Sequence, residues 1–301
     1  MSKRVAVVGA ANVDITASPL QSYRPCESNP SRVDIGFGGV GRNIAHNLRL
    51  LGNEVRFVTV FGSDAIAQTL LNDCRRLGMT IDPVIKLDHA RSNYFICIND
   101  EHGEMQAGAA DMELMAALTP ALLDGEMHFL NSSDALVADC NASAEALLHL
   151  ARHCTVPLYV DGTSMAKATR LRPILNANRT APLIIKVNRA EAQALTGIDG
   201  SVKDMARALA TNGATRAYIT MGADGVCCHD SHETFTLPPK PAHMVNATGA
   251  GDAFMAATVA AELNGLTMRQ AADCGLEAAA IALQCPMAVS KQIVNLKKML
   301  K

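Results

Sequence analysis

The sequence predicts a doubly wound α/β fold, in which a mostly parallel sheet carries helices on both faces. Three observations support this prediction. Short runs of apolar, β-branched residues recur along the chain, helical patterns lie between most of them, and apolar residues make up 49% of the composition. Strands that are apolar throughout are typical of a parallel sheet that is covered on both sides.

The predicted strands and helices alternate in chain order. The strands are Val5–Gly9, Val55–Val60, Ala135–Ala138, Leu158–Val160, Leu183–Val187 and Ala217–Thr220. The helices between them are Asn43–Leu51, Ala65–Leu77, Ala144–His153, Glu191–Thr196 and Val202–Asn212. The alanine-rich C-terminal third predicts three more helices, Asp252–Leu263, Met268–Leu283 and Val289–Leu300. We therefore expect residues 1–301 to form a single domain.

Two segments, at about 15–37 and 92–107, interrupt this alternation. The first contains three prolines among polar residues, and a strand-like piece lies at each of its ends. In the second, two extended runs flank the turn Asn99–Gly103, which is the signal of a β-hairpin. We expect the two insertions to pair into a small separate sheet.

Composition and charge exclude several classes of protein. The chain has 27 basic and 29 acidic side chains, so it lacks the basic excess of a general nucleic-acid binder. No stretch approaches the roughly 18–20 apolar residues of a membrane span. The apolar run Val5–Ala11 predicts a first strand rather than a signal peptide, because the polar residues Asn12 and Asp14 come directly after it. Nine cysteines without a C-x-x-C pair indicate free thiols and a cytoplasmic protein.

The first informative motif is the glycine-rich stretch Gly36–Asn43, which leads into a predicted helix. Gly36, Gly38 and Gly41 match G-x-G-x-x-G, a pattern that also marks dinucleotide-binding sites. Such a site needs a long buried strand before the glycines, and only the short segment Arg32–Ile35 precedes them here. A second interpretation is close approach of a polar ligand to backbone amides, and a third is a loop that needs positive φ.

The second motif is Asn246-Ala-Thr-Gly-Ala-Gly-Asp252, directly before an apolar helix. Its glycines place consecutive N–H groups at a helix start, where the helix dipole also favours negative charge. Asp252 is an ordinary first-turn residue in a purely structural interpretation. In a catalytic interpretation, a carboxylate beside such an anion site can take a proton from a hydroxyl group. No G-x-x-x-x-G-K-[ST] sequence exists in the chain, which excludes a P-loop kinase.

These two motifs, in this order and about 200 residues apart, resemble the signatures of the ribokinase-like (PfkB) family of carbohydrate kinases. The first signature continues with the family's spacing through Asn43, Ala45, Gly52 and Gly62, and the second is Thr248–Asp252. The resemblance covers nearly the whole chain. It implies a ribokinase-like fold in which the two insertions form a small β lid, and it implies phosphoryl transfer from ATP to an alcohol.

The resemblance also implies roles for individual residues. It implies that Asp252 is the catalytic base and that the backbone amides of Gly249, Ala250 and Gly251 form an anion hole. The residues implied to bind the sugar hydroxyls are Asn12, Asp14, Gly38, Gly39 and Asn43. At Asp14 the structural alternative is an Asx turn that closes the first strand.

ATP and Mg²⁺ are the cofactors that the resemblance implies. The residues implied to bind ATP are Lys186, Asn188, Thr220, Gly222, Gly225, Thr248, Gly249 and Gly251. Asn188 and Glu191 match the family's N-x-x-E motif, which implies that they organise the water shell of Mg²⁺. Their structural alternative is a helix N-cap with its N3 partner. A monovalent cation is a further candidate cofactor, although Asn246 stands where many relatives carry an Asp.

Several shorter strings resemble members of the family that act on pseudouridine. They include Ser28–Pro30, Gly38–Ala45 and Val137–Asn141, together with Asn246. They imply transfer of the γ-phosphoryl group to the 5′-hydroxyl of pseudouridine, and Asn93 and Asn141 are candidate partners of the uracil ring. The other hypotheses are a kinase of ribose, adenosine or fructose, a non-catalytic nucleoside sensor and an NAD-dependent enzyme. We further expect a small-molecule substrate and a homodimer formed through the lid, whose strand edges need covering.

Overall fold

The computed structural model describes residues 2–300, and its centre is an eight-stranded sheet. In chain order the strands of this sheet are β1 (Arg4–Val8), β4 (Glu54–Val58), β9 (Ala135–Asp139), β10 (Leu158–Asp161), β11 (Leu183–Asn188), β12 (Arg216–Thr220), β13 (Val226–His229) and β14 (Thr234–Leu237). Their spatial order is β14-β13-β12-β11-β10-β9-β1-β4. The six strands from β4 to β12 are parallel, and β13 and β14 add an antiparallel edge.

Within residues 2–300, six further strands and ten α-helices surround this sheet, together with short 3₁₀ helices. Four of these strands are β2 (Asn12–Pro19), β3 (Ser31–Gly38), β7 (Tyr94–Asn99) and β8 (Met105–Asp111), and the other two are β5 (Val60–Phe61) and β6 (Ile85–Lys86). The helices are α1 (Val40–Leu50), α2 (Ala67–Arg76), α3 (Pro120–Asn131), α4 (Ala144–His153), α5 (Met165–Ala168), α6 (Arg172–Leu175), α7 (Arg189–Thr196), α8 (Val202–Thr211), α9 (Ala250–Leu263) and α10 (Met268–Leu283).

Helices cover both faces of the large sheet, which confirms the predicted doubly wound architecture. Successive side chains of a strand point to opposite faces, so each strand supplies two cores. On one face Tyr159 and Tyr218 pack with residues of α1, α2, α9 and α10. On the other face Val160 and Ile219 pack with residues of α3, α4, α6, α7 and α8. The helices that follow the two glycine motifs, α1 and α9, therefore share one face.

Strands β3, β2, β7 and β8, in that spatial order, form a separate small sheet. Strands β7 and β8 are the hairpin that the sequence predicts around residues 99–103. Paired residues of neighbouring strands lie side by side on the same face of a sheet. In the small sheet the pairs on one face are apolar. Its two central rows are Ile35, Ile15, Ile96 and Ala109, and then Val33, Ala17, Ile98 and Ala107. The opposite face carries Asp14 and Thr16.

The structure corrects several predicted elements. The predicted strand Val55–Val60 is divided into β4 and β5, and α3 and the antiparallel edge strands were not predicted. Helices α1, α7 and α9 begin two or three residues earlier than predicted. The predicted C-terminal helix is a 3₁₀-helix at Lys291–Lys298, whose buried residues Ile293 and Leu296 are three positions apart. In a 3₁₀-helix residues three positions apart lie on the same face, so both side chains turn towards the core.

The structure also describes the state of the cysteines and the apolar character of the helices. All nine cysteines are free thiols in the structure. Among the helices described within residues 2–300, none has the length and apolar character that crossing a bilayer requires.

Candidate functional site

A row of charged side chains crosses three neighbouring strands at the carboxyl edge of the large sheet. Asp139, Asp161 and Lys186 are register partners on β9, β10 and β11. They lie two residues beyond Val137, Tyr159 and Ile184, so they share the face that α1 and α9 cover. All three are almost completely buried. The alternation of the strands therefore brings three charges to the place where two helices begin.

Asp252 lies in the first turn of α9, as predicted, and its carboxylate is buried. The side-chain amide Nδ2 of Asn43, in the first turn of α1, donates to Asp252 Oδ2 at 2.9 Å. Burial raises the pKa of Asp252 to about 7, and the nearby Asp161 carboxylate adds to the rise. Lys186 and the hydrogen bond from Asn43 act in the opposite direction. A carboxyl group with a pKa near neutrality is suited to proton transfer.

Lys186 reaches the same helix start from the sheet. Its ammonium Nζ lies 2.8 Å from Asp161 Oδ2. A Cβ atom placed on Gly251 would be only 2.6 Å from this Nζ, so the glycine leaves room for the ammonium. Burial alone would lower the pKa of Lys186, but the charges of Asp161, Glu191 and Asp252 raise it. A positive charge therefore stays beside the first turn of α9.

The loop before α9 exposes backbone amides to an incoming anion. Gly249 is the N-cap residue, with φ of 83°, and no side chain caps the helix. A Cβ atom at Gly249 would collide with the backbone carbonyl of Ala288. Asn246 braces the loop, since its Oδ1 accepts from Thr248 N at 2.9 Å and its Nδ2 donates to Pro286 O at 3.0 Å. Within residues 2–300 no side chain caps this helix start, and Ala250 N donates only a long hydrogen bond of 3.4 Å to the backbone oxygen of Ala247, as suits an anion-binding helix start.

The predicted sugar-binding residues meet where the small sheet joins α1. The Asn12 amide donates to Asp14 Oδ1, and the carboxylate of Asp14 packs against Gly38. Gly39 has φ of 100°, and a Cβ atom there would lie 2.7 Å from Asn12 Oδ1. Burial raises the pKa of Asp14 to about 6, although the hydrogen bond from Asn12 and the charge of Arg42 oppose this. Gly38 is therefore required by the close approach of the Asp14 carboxylate, and Gly39 by its positive φ and by the approach of the Ala10 carbonyl and the Asn12 side chain.

The connection between Asp14 and Asp252 runs through α1. Asp14 contacts Gly38, the helix begins one residue after Gly39, and Asn43 on the first turn contacts Asp252. Asn43 Oδ1 is buried and has no hydrogen-bond partner within residues 2–300. The structure thus brings the two predicted ends of the site to one helix start.

Asp139 was missed by the sequence analysis, and it ties together three loops of the site. One oxygen of its buried carboxylate accepts from Ala10 N at 2.9 Å and from Gly41 N at 2.7 Å. Its other oxygen accepts from Asn141 N at 2.7 Å. Burial raises the pKa of Asp139, while the hydrogen bonds from Ala10 and Asn141 oppose the rise. A single carboxylate therefore holds the loop after β1, the start of α1 and the loop after β9.

Two predicted base-contacting residues are occupied by protein partners. Asn141 Oδ1 accepts from Lys167 Nζ at 2.6 Å. The amide of Asn93 donates to Ala11 O at 3.1 Å, and its buried Oδ1 has no partner within the described residues. Both side chains are buried, and their contacts with a ligand stay a prediction.

Asn188 and Glu191 form a capping box at the start of α7. Asn188 Oδ1 accepts from Glu191 N at 2.9 Å, and Glu191 Oε2 accepts from Asn188 N at 2.8 Å. The structural alternative considered for this motif is therefore present. Within residues 2–300 no three His, Cys, Asp or Glu side chains are grouped to hold a metal ion directly. Glu191 Oε1 also accepts from Asn188 Nδ2 at 2.8 Å, so every oxygen of the pair already accepts one hydrogen bond. The pair therefore fits Mg²⁺ as an acceptor for the waters that this ion tends to keep.

The remaining predicted ATP-binding residues lie at the carboxyl end of β12. Thr220 ends the strand, Gly222 starts a short 3₁₀ turn with φ of 60°, and Gly225 ends the turn with φ of 87°. Register pairs Thr220 with Asn188, so this turn lies beside the start of α7. Their contact with a nucleotide stays a prediction.

The sequence contains a pattern that identifies two of the residues that the sequence analysis did not single out. Asp139 and Asp161 each come directly after a predicted buried strand. Because the carboxyl ends of parallel strands meet at one edge of the sheet, acids at these positions come together. The third missed residue, Lys167, lies on the short helix α5 and gave no comparable signal.

Known proteins share this sequence pattern and this fold. The sequence profile described as pfkB family carbohydrate kinase matches residues 2–293. A pseudouridine kinase of Escherichia coli is 33% identical over 287 residues, which is 93% of this chain and 90% of the relative. A guanosine-inosine kinase of Exiguobacterium acetylicum is 27% identical and covers 92% and 93% of the two chains. A ribokinase of Arabidopsis thaliana, solved with ribose and ATP, is 20% identical, has a TM-score of 0.85 and covers 100% and 99%.

Proposed function

Because the chain belongs to the pfkB family of carbohydrate kinases, we propose that it phosphorylates the 5′-hydroxyl of pseudouridine with ATP. The products are pseudouridine 5′-phosphate and ADP. The observation that carries the proposal is the contact between Asn43 and Asp252 at the start of α9. This contact joins α1, the helix that begins at the predicted sugar-binding residues, to a buried carboxylate that lies beside backbone amides without a side-chain cap.

In this proposal Asn12, Asp14 and Asn43 bind the ribose hydroxyls and turn the 5′-oxygen towards Asp252. The 5′-oxygen attacks the γ-phosphorus of ATP, the bond from that phosphorus to the β-γ bridging oxygen breaks, and Asp252 accepts the hydroxyl proton. The amides of Gly249, Ala250 and Gly251 stabilise charge on the transferring group. Lys186 is close enough to Gly251 to add positive charge there.

The rest of the nucleotide site is also part of the proposal. Thr220, Gly222, Gly225 and Thr248 contact ATP, and Asn188 and Glu191 hold Mg²⁺ through water. Mg²⁺ when bound neutralises phosphate charge. The small sheet acts as the lid that excludes water from the phosphoryl group, within a single domain of residues 1–301.

The acceptor is assigned from the relatives and from the local strings. A pseudouridine kinase at 33% identity supports pseudouridine, whereas the guanosine-inosine kinase at 27% supports a purine nucleoside as the second candidate. Asn93 and Asn141 then contact the base.

A panel of acceptors tests this assignment. ADP formation is measured with ATP and Mg²⁺ in the presence of pseudouridine, uridine, adenosine, guanosine, inosine, ribose or fructose. We expect the highest kcat/KM with pseudouridine. A preference for guanosine or inosine would change the assigned acceptor but support the assignment as a kinase. Absence of ADP formation with every acceptor would favour a nucleoside sensor.

We also propose that the protein forms a homodimer through the apolar face of the small sheet. Val33 is 56% exposed, Ile35 is 64% exposed and Ile96 is 40% exposed, and all three lie on this face. A group of exposed apolar side chains on one sheet face is typical of an interaction surface. The opposite face carries Asp14, so pairing through the apolar face leaves the proposed substrate site open.

A charge placed on this face tests the dimer. We expect the wild-type protein to show twice the 31.9 kDa chain mass in light scattering, and Ile35→Asp to show the mass of one chain, because a buried unpaired carboxylate is costly. Val294→Asp is the matched control, since Val294 is 40% exposed on the C-terminal 3₁₀-helix. A dimeric Ile35→Asp variant or a monomeric wild type contradicts the proposal.

The nine free thiols support a reducing compartment, and we propose a cytoplasmic location. Cell fractionation with an antibody to the protein tests it, and recovery in an oxidising compartment contradicts it.

A further inference from the structure

The segment where the chain enters strand β7 is held by one acidic side chain of the main body. Asp64 lies in the loop between β5 and α2. Its Oδ2 accepts from Ser92 N at 2.8 Å, and its Oδ1 accepts from the Ser92 hydroxyl at 2.7 Å. Tyr94 OH, in β7, lies 3.4 Å from Oδ2. Asp64 therefore holds both the backbone and the side chain of the residue that precedes Asn93.

The neighbouring residues of the same loop bring the two segments into contact. A Cβ atom on Gly62 would lie 2.7 Å from Ala90 O and 2.8 Å from Ser92 N, so only glycine permits this approach. Ser63 N also donates to Ala90 O at 2.8 Å. The approach of the loop and the 90–92 segment is thus built into the backbone, and Asp64 adds its side-chain hydrogen bonds to it.

The held segment leads directly to the proposed sugar site. Asn93 O accepts from Val13 N at 2.9 Å, and the Asn93 amide donates to Ala11 O. Val13 is paired with Tyr94 in the register of β2 and β7, and it precedes Asp14. A continuous set of hydrogen bonds therefore connects Asp64, Ser92 and Asn93 with the backbone next to Asp14.

We propose that Asp64 is a positioning residue: by holding Ser92 it sets the place of the small sheet, and with it Asp14 and Asn93, relative to the main body. This inference rests on the proposed function, because it concerns the sugar side of that site. Asp64 touches no reacting group in the proposed mechanism and acts on the small sheet through Ser92 and Tyr94. Loss of the Asp64 carboxylate lets the small sheet move. Nucleoside affinity and the exclusion of water then decrease, while ATP binding is unchanged.

The charge of Asp64 strengthens its hold on Ser92. Partial burial acts to raise the pKa of Asp64, but the hydrogen bonds from Ser92, Ala67 and Tyr94 outweigh it and lower the pKa. The carboxylate therefore stays ionised throughout the neutral range. Asn in its place carries no charge, and its NH₂ group faces a backbone N–H of either Ser92 or Ala67 in each orientation of the amide, so at least one hydrogen bond is lost.

The test compares Asp64→Asn with a matched variant in the same sheet. Asp100 accepts from His102 N and Glu104 N, both at 2.9 Å, in the β7–β8 turn, so Asp100→Asn removes a similar turn carboxylate away from the junction with the body. We expect Asp64→Asn to raise KM for pseudouridine roughly tenfold and to leave KM for ATP unchanged. It should also increase the ATP hydrolysed per pseudouridine phosphorylated. Asp100→Asn should behave as wild type in both measurements.

Hydrogen exchange keeps the inference testable whatever the acceptor is. We expect the amides of Ser92 and Asn93 to exchange at least roughly tenfold faster in Asp64→Asn than in Asp100→Asn. Ser92→Ala, which removes only the hydroxyl bond, serves if Asp64→Asn does not fold, and we expect it to shift both readouts in the same direction. Unchanged exchange, or equal rises in both KM values, overturns the role of Asp64. A wild-type protein that phosphorylates no acceptor refutes the proposed function, and exchange alone then decides on Asp64.

Discussion

We expect Asp252→Asn to lower kcat by about 100-fold or more, because the amide keeps the shape of the side chain but cannot accept the hydroxyl proton. Steady-state ADP formation with the preferred acceptor measures the effect. KM for ATP and for the nucleoside should change little, since the proposed role of Asp252 is in the reaction step rather than in ground-state binding. This is the largest effect that the proposed mechanism predicts.

Asp204→Asn is the matched control for this substitution. Asp204 is also an acid in the first turn of a helix, α8, but it is exposed and pairs with Arg207. Its loss should leave kcat unchanged. Near-normal turnover of Asp252→Asn would refute Asp252 as the base, and a similar loss in both variants would indicate a general effect of first-turn acids on the fold.

The pH dependence of the wild-type enzyme checks the same residue. Only the ionised carboxylate accepts a proton, and burial raises the pKa of Asp252 to about 7. We therefore expect kcat/KM to be constant above about pH 8, to fall below about pH 7 as Asp252 is protonated, and to fall more steeply below about pH 6, where Asp14 is protonated as well. In Asp252→Asn the fall near pH 7 should be absent, and only the fall near pH 6 should remain. A profile that is flat from about pH 5 to 8 contradicts the assignment.

We expect Asp14→Asn to raise KM for the nucleoside by about 100-fold, since a charged acceptor of two hydroxyl groups is lost. KM for ATP should stay within about threefold of the wild-type value, because Asp14 lies on β2, whereas the proposed nucleotide site lies at the end of β12 and the start of α9. Initial rates with each substrate varied in turn provide the measurement. This split separates a sugar-binding role from damage to the whole site.

Asp34→Asn is the control for Asp14. Asp34 is the register partner of Thr16, so it shares the polar face of the small sheet with Asp14, but it is exposed and pairs with Arg32. We expect both KM values to be unchanged in this variant. Equal losses of nucleoside and ATP affinity in Asp14→Asn would contradict the assigned role.

Local patterns identified most elements of the fold because each depends on nearby residues. Uninterrupted apolar runs predicted the buried parallel strands, and the turn at residues 99–103 predicted the β7–β8 hairpin. The C-terminal 3₁₀-helix shows the limit of such patterns. Its composition is helical, and the burial of Ile293 and Leu296 at a spacing of three is compatible with both helix types, so the local pattern does not distinguish them.

The functional site likewise contains residues that local sequence motifs identify and residues that only the folded sheet brings together. The two glycine motifs were found because each is a continuous stretch, and Asp252, Asn43 and Asp14 lie in or beside recognisable strings. Asp139 and Asp161 were not singled out. Their roles come from the row that β9, β10 and β11 form together, and register across strands is a property of the folded sheet.

The sequence by itself determined the alternation of strands and helices, the glycine-rich helix starts and the family to which the chain belongs. These features are encoded in short segments, in which side-chain period and turn chemistry act over a few residues. Only the tertiary structure decided that Lys186 pairs with Asp161, that Asn43 contacts Asp252 and that Asp64 holds Ser92. Each of these contacts joins residues 25 or more positions apart, and only packing of the elements into layers brings such residues within hydrogen-bonding distance.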